Sequence, residues 1–146
     1  MPRRLLDAPV YYLDANLDGL ALVERLREAG MRCEPHRDHF APDAADEAWI
    51  PEIAARGWVI VTRDFAIQRR RTEREAWTAA SAIVVMLRGE KLSAEDMSKM
   101  LLAAHANGRL DNFIAKRTPP MIIYLKPDGQ LHVHFGGERR GGRRNE

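Results

Sequence analysis

Residues 58–64 constrain the fold of this chain more than any other stretch of its sequence. Three aliphatic residues follow Trp58, and the segment then ends in Thr62, Arg63 and Asp64. A short apolar run bounded by polar residues predicts a strand that is buried on both faces, as in a parallel sheet. The ligand crevice of an open parallel sheet lies beyond the carboxyl ends of its strands, so the polar residues at this end are candidates for a functional site.

A second segment, residues 10–14, has the same form, because its apolar run stops at Asp14. Residues 17–29 then have helical periodicity and stop at Gly30, which predicts a strand, a turn and a helix. Asn16 or Asp18 could cap that helix, and Asn16 could instead orient a metal-bound water or bind substrate. If both strands belong to one parallel sheet, Asp14 and Asp64 lie at the same edge.

The order of the remaining elements indicates the fold class. Residues 31–36 predict a short strand near a sheet edge, residues 46–56 a helix with Pro51 near its first turn, and residues 82–87 another buried strand. The alternation of strands and helices up to Leu87 predicts an α/β fold with a central, mostly parallel sheet between helical layers. Later segments predict C-terminal helices, one opened by a Ser93 capping box, and a β-hairpin over residues 121–135.

Length and charge suit one domain with a short tail. The chain has 146 residues and a net charge of +2, and residues 137–146 carry four arginines against two glutamates. We expect a single domain over residues 1–136, with a core at about 10–88 and a C-terminal extension at 92–136. We expect the basic tail, residues 137–146, to be disordered. One cysteine and no long apolar run predict a cytoplasmic protein without a membrane segment.

Three carboxylates are predicted to converge at the sheet edge: Asp14, Asp46 and Asp64. Clustered carboxylates repel one another unless a cation lies among them, and oxygen ligands favour Mg²⁺ or Mn²⁺. Such an ion can activate water and neutralise charge on a phosphodiester. The pattern therefore indicates metal-dependent phosphodiester cleavage. Strand-end turns and helix caps are the alternative roles for the same aspartates.

Basic residues follow the third carboxylate closely. They could contact several phosphates of a nucleic acid, or they could form a solvated helix face. These candidate substrate-binding residues are Arg63, Arg69, Arg70, Arg71 and Arg74.

Four motifs together resemble the PIN-like domains related to VapC-type toxins. They are Leu13-Asp14-x-Asn16, residues 36–40, Asp46-Glu47-x-Trp49-Ile50 and residues 57–64. The resemblance covers roughly residues 10–88. It implies a three-layer α/β/α sandwich, Mg²⁺- or Mn²⁺-dependent ribonuclease activity on RNA and, in many members, an antitoxin partner. By position, Asp14, Asp46 and Asp64 match the acidic residues of the family.

The sequence departs from the family pattern at two places. Asp46 and Glu47 compete for the second acidic position, so Glu47 is also a candidate metal ligand. A fourth acid has no clear counterpart, because Gln68 is neutral. A catalytically weak module that binds nucleic acid or a partner protein therefore remains an alternative. The C-terminal extension could form a homodimer interface or hold an antitoxin.

Other polar residues have structural interpretations. Strand alternation places His36 and His39 on opposite faces, which argues against a zinc site. His132 and His134 are expected on an exposed hairpin face, and Cys33 is expected to be a core thiol. A receiver-like or nucleotide-binding domain is the remaining α/β alternative, but no glycine-rich phosphate loop follows either strong strand.

Overall fold

A mostly parallel sheet organises the described part of the chain. The structure is a computed structural model that describes residues 8–15, 17, 19–63, 75 and 77–139, apart from the side chains of Asp46 and Glu47. The strand order is β2-β1-β3-β4-β5-β6, in which only β6 is antiparallel to its neighbour. The strands are β1 Tyr11–Leu13, β2 Cys33–Pro35, β3 Val59–Thr62, β4 Ile83–Leu87, β5 Arg117–Leu125 and β6 Leu131–Arg139.

Helices connect the strands on both sides of this sheet. The α-helices are α1 Leu20–Glu28, α2 Asp46–Ala55, α3 Ala94–His105 and α4 Arg109–Ala115, with short 3₁₀ turns at His36–Asp38 and Ala106–Gly108. Residues 77–79 are also helical. None of the helices in the described ranges is long and apolar enough to cross a membrane.

Two hydrophobic clusters fill the two faces of the sheet. Alternate residues of a strand point to opposite faces, and in β3 Val59 and Val61 enter one cluster while Ile60 enters the other. The first cluster packs against α1, α3 and α4, and the second against α2 and Trp77. This arrangement confirms the predicted three-layer α/β/α sandwich.

The C-terminal extension is part of the same sheet and core. Strand β5 lies between β4 and β6, and Met97, Leu101 and Leu110 are buried in the cluster that contains α1. The predicted capping box is confirmed: the Ser93 hydroxyl accepts a hydrogen bond from the Asp96 amide at 3.0 Å, and the Asp96 carboxylate accepts one from the Ser93 amide at 2.9 Å. Helices α3 and α4 therefore bury their apolar faces against the sheet of the same chain.

The predicted boundary at residue 136 is wrong. Strand β6 continues to Arg139, and Gly137 is buried. The bulged pairing of β5 with β6 extends the hairpin because Arg117 and Thr118 oppose Arg139 and Glu138. The rest of the predicted tail, residues 140–146, lies outside the described residues.

One local prediction about a helix is also wrong. Pro51 lies in the second turn of α2 and not near its first turn, because the helix begins at Asp46. An internal proline costs about 3 kcal/mol, and burial of Trp49, Ile50 and Ile53 offsets this cost at about 1.5–3 kcal/mol for each side chain. Helix α1 has Gly19 at its N-cap position, and the two residues considered as caps, Asn16 and Asp18, lie outside the described residues.

Candidate active site

The Asp14 carboxylate and the Thr62 hydroxyl meet at the carboxyl edge of the sheet. Asp14 follows β1 directly, and Thr62 is the last residue of β3. The Thr62 hydroxyl donates a hydrogen bond to Asp14 Oδ2, and the Asp14 amide donates one to the Val61 carbonyl at 3.2 Å. Asp14 is 5% exposed and Thr62 is fully buried. The contact fixes a buried carboxylate at the position where α/β sheets bind ligands.

Strand register explains this contact. Strands β1 and β3 are parallel neighbours, with Leu13 opposite Val61, so the next residue of each strand, Asp14 and Thr62, falls side by side. Both side chains point to the face that carries Tyr12 and Ile60, by the alternation of a strand. The backbone then turns, because the Leu17 amide donates to the Asp14 carbonyl at 2.9 Å.

Arg63 lies at the same edge, one residue beyond β3. Its guanidinium donates through Nη2 to the Gly89 carbonyl at 3.1 Å, and Gly89 follows the neighbouring strand β4. The side chain is partly exposed. The hydrogen bond therefore holds a positive charge beside the carboxyl ends of β3 and β4.

The second acidic segment begins α2, which connects β2 to β3. A helix that connects two parallel strands runs antiparallel to them, so the amino end of α2 lies on the side of their carboxyl ends. Asp46 and Glu47 are the first two residues of this helix. Their backbone thus lies on the side predicted from the sequence, and their side chains are outside the described part of the chain.

The other predicted site residues also lie outside the described residues. These are Asn16, Asp64, Arg69, Arg70, Arg71 and Arg74. Among the residues that the structure does describe, no group of three or more His, Cys, Asp or Glu side chains could hold a metal ion. Of the predicted metal ligands, the structure therefore describes the side chain of Asp14 alone.

The argument from strand alternation for His36 and His39 is wrong, because residues 36–38 form a 3₁₀ turn. Both imidazole rings lie near the Tyr12 ring, at centroid distances of 5.9 and 6.4 Å. His36 is buried, with Nε2 2.9 Å from the Ala41 carbonyl and Nδ1 hydrogen-bonded to the Tyr12 hydroxyl. His39 Nε2 is 2.8 Å from Glu34 Oε1. Both histidines therefore have structural contacts.

The sequence interpretation did not identify Arg88 as a residue of this edge. Arg88 follows β4, and its guanidinium lies 4.4 Å from the centroid of the Tyr124 ring. His134 stacks on the same ring at 4.3 Å. Because β4 and β6 flank β5 on opposite sides, Arg88 and His134 approach Tyr124 from opposite sides. The available signal was the position of Arg88 after a buried strand, as for Arg63.

Cys33 is a core thiol, and this gives a prediction for alkaline pH. Desolvation raises its pKa from 9.0 to about 12, while the positive charge of Arg27 opposes the shift. Above pH 9 the unfolded chain loses the thiol proton and the folded chain keeps it, so the free energy of unfolding falls as pH rises from 9 towards 12. From pH 8 to pH 10 we expect a loss of roughly 1 kcal/mol from this thiol.

Urea unfolding at both pH values measures this loss. Cys33→Ala is the control, because the variant keeps the other alkaline groups and removes the thiol. We expect the variant to lose less stability than the parent chain between the two pH values. Equal losses would contradict the prediction.

Comparison with known proteins agrees with the α/β fold. The sequence model of the PIN like domain family matches residues 9–89, which is more than half of the chain and includes β1 to β4. The chain therefore belongs to the PIN-like domain family.

A relative among curated proteins is "Putative ribonuclease VapC45" of Mycobacterium tuberculosis (strain ATCC 25618 / H37Rv). It is 26% identical over 106 residues, which cover 70% of this chain and 77% of that protein. No solved structure gives a significant match to the chain.

Proposed function

We propose that this chain is a Mg²⁺- or Mn²⁺-dependent endoribonuclease of the VapC type and the toxin of a toxin–antitoxin pair. The observation that carries the proposal is the Asp14 carboxylate held by Thr62 at the carboxyl ends of two adjacent parallel strands. Membership of the PIN-like family and the similarity to a protein named as a ribonuclease support the same activity.

The donor chemistry fits a hard divalent ion. Asp14 offers carboxylate oxygen, and Asp46 or Glu47, together with Asp64, would add more of the same type. When bound, such an ion lowers the pKa of a coordinated water and neutralises charge on the phosphodiester. Thr62 would hold the Asp14 carboxylate in one orientation, as neighbours of metal-binding carboxylates do.

The arginines would hold the RNA strand against this edge. Arg63, whose guanidinium donates to the Gly89 carbonyl, would contact a backbone phosphate of the RNA. Asn16 would contribute a polar contact to substrate in the same crevice. Further phosphate contacts would come from Arg69, Arg70, Arg71 and Arg74.

Metal removal tests the activity. We expect the purified chain to cleave a labelled RNA in the presence of Mn²⁺, to stop when EDTA is added, and to resume when Mn²⁺ is restored in excess, because oxygen ligands bind the ion reversibly. Cleavage that continues in EDTA would contradict metal dependence.

A second candidate is a PIN-like module that binds RNA or a partner protein without cutting RNA. The neutral Gln68, where a fourth acid is expected, favours it. Such a module would bind labelled RNA and leave it intact with Mn²⁺ or Mg²⁺. A calorimetric titration that detects no binding of either metal would support this candidate over the nuclease.

The antitoxin proposal has its own test. Expression of the chain in a bacterial host should arrest growth, and co-expression of the protein encoded beside its gene should restore growth. Growth arrest that persists with that neighbour would exclude the neighbour as the antitoxin.

A further inference from the structure

A cavity of about 480 Å³ lies at the edge of the sheet opposite the candidate active site. Its lining includes Val10, Val59 and Ile83, which stand at or just before the amino ends of β1, β3 and β4. A four-residue strand spans roughly 13 Å, so this cavity and Asp14 are separated by about one strand length. The volume is within the range of pockets that bind small molecules, roughly 300–1,000 Å³.

Three arginines from three different parts of the fold line this cavity. Arg32 precedes β2, Arg56 follows α2 and Arg117 begins β5. The described residues of the lining include no aspartate or glutamate, and Glu52 pairs with Arg56 from outside the lining. Guanidinium groups bind phosphate through paired hydrogen bonds, so their convergence favours an anionic ligand.

Contacts within the chain orient each guanidinium. Arg32 Nη1 donates to the Ala8 carbonyl at 2.8 Å, and Arg117 Nη1 donates to the Phe113 carbonyl at 3.0 Å. Arg56 Nη2 is 2.8 Å from Glu52 Oε2, and its guanidinium carbon is 4.8 Å from the Trp58 ring centroid. Side chains that are already held lose less conformational freedom when a ligand binds.

A fourth arginine adds to the positive charge at this edge. Arg139 stands opposite Arg117 in the pairing of β5 with β6. Desolvation, and then the charge of Arg139, lower the pKa of the Arg117 guanidinium from its ordinary value. Arg139 therefore adds positive charge beside the Arg117 side of the cavity.

We propose that this cavity binds a phosphate-bearing ligand of nucleotide size. Arg32, Arg56 and Arg117 contact the phosphate, and the cavity beside Trp58 holds the rest of the ligand. The phosphate belongs either to a free nucleotide or to RNA. This site is separate from the carboxylate edge and does not depend on ribonuclease activity.

Calorimetric titration of the full chain with 5′-AMP, in EDTA, tests the proposal. EDTA removes any contribution from a metal at Asp14, so the result does not depend on the proposed nuclease activity. We expect AMP to bind and Arg32→Ala to weaken binding by roughly tenfold or more, the usual effect of losing one hydrogen bond from a charged donor. Arg117→Ala should have an effect of the same size.

Matched variants separate the cavity from general charge and from misfolding. Arg25→Ala removes an exposed arginine outside the cavity and should leave AMP affinity unchanged. Arg117→Ala removes a hydrogen bond to the Phe113 carbonyl of α4, so Arg56→Gln provides a second cavity variant that leaves α4 unchanged. Thermal unfolding checks that each variant is folded. Orthophosphate and a short RNA, titrated in parallel, identify the source of the phosphate.

Three results would overturn the proposal. The first is that Arg32→Ala and Arg56→Gln leave the binding of AMP, orthophosphate and RNA unchanged, or that none of these three ligands binds. The second is that Asp14→Asn weakens AMP binding as much as the arginine variants do, which would place the ligand at the other edge. The third is that a polyglutamate peptide binds more tightly than AMP at equal salt, which would indicate an acidic protein partner.

Discussion

Asp14→Asn is expected to reduce Mn²⁺-dependent RNA cleavage by at least about 100-fold, the range seen when one group that stabilises transition-state charge is removed. Asparagine has nearly the same shape, and its carbonyl oxygen can still accept the hydrogen bond from Thr62. The variant therefore removes the negative charge and preserves the contact. Thermal unfolding of the variant checks that the fold is retained.

Two further variants make this experiment specific. Glu52→Gln is the matched control, because it also changes a carboxylate to an amide but lies in the last turn of α2, away from the amino end of that helix. It should keep full activity. Thr62→Val leaves the Asp14 charge and removes the hydroxyl that holds it, so we expect a loss of roughly tenfold to 100-fold, with a higher Mn²⁺ requirement. Full cleavage by a folded Asp14→Asn variant would exclude the proposed role of Asp14.

Gly136→Ala is expected to destabilise the fold by about 3 kcal/mol or more, through backbone strain and steric overlap together. Gly136 has φ of +66°, and an added Cβ would lie 2.1 Å from the Pro120 carbonyl oxygen. Gly136 is opposite Met121 in the β5 and β6 pairing, and Pro120 lies in the irregular part of β5 just before Met121. The overlap cannot be relieved by a side-chain rotation, so the hairpin must shift.

Gly57→Ala separates the two causes. Gly57 has a similar φ of +75°, but an added Cβ there has no neighbour within 4 Å. Its cost should be about 1–2 kcal/mol from the left-handed backbone alone. Urea unfolding of both variants gives the difference, which measures the overlap with Pro120. Equal losses of stability would show that β6 moves away without cost.

The sequence was sufficient to predict the fold class and to identify Asp14, one of the two residues in the contact between Asp14 and Thr62. The apolar runs before Asp14 and after Trp58 predicted buried strands, and the structure has β1 and β3 there. Strand order is not encoded in any local pattern. Asp14 touches Thr62 because β2 lies at the sheet edge and leaves β1 beside β3, which depends on packing of the whole sheet.

Pro51 illustrates why local rules failed elsewhere. Helix propensity favours a proline only near the start of a helix. Burial of Trp49 and Ile53 against the sheet nevertheless stabilises α2 as a helix that continues past Pro51. Local sequence patterns could not predict the arginine cavity either, because Arg32 and Arg117 are far apart in the sequence. Only the folded sheet brings them to one edge.

The position of β5 has a consequence for synthesis on the ribosome. The family match ends at residue 89, but β4 pairs with the later strand β5. Ile83 of β4 therefore has its strand partner, Met121, only after residue 121 has been synthesised. Until that later segment emerges, the nascent chain presents an open apolar strand that can pair with other polypeptides. Translation speed over residues 90–120, and chaperone binding during that interval, should therefore govern how much of this protein reaches the native state.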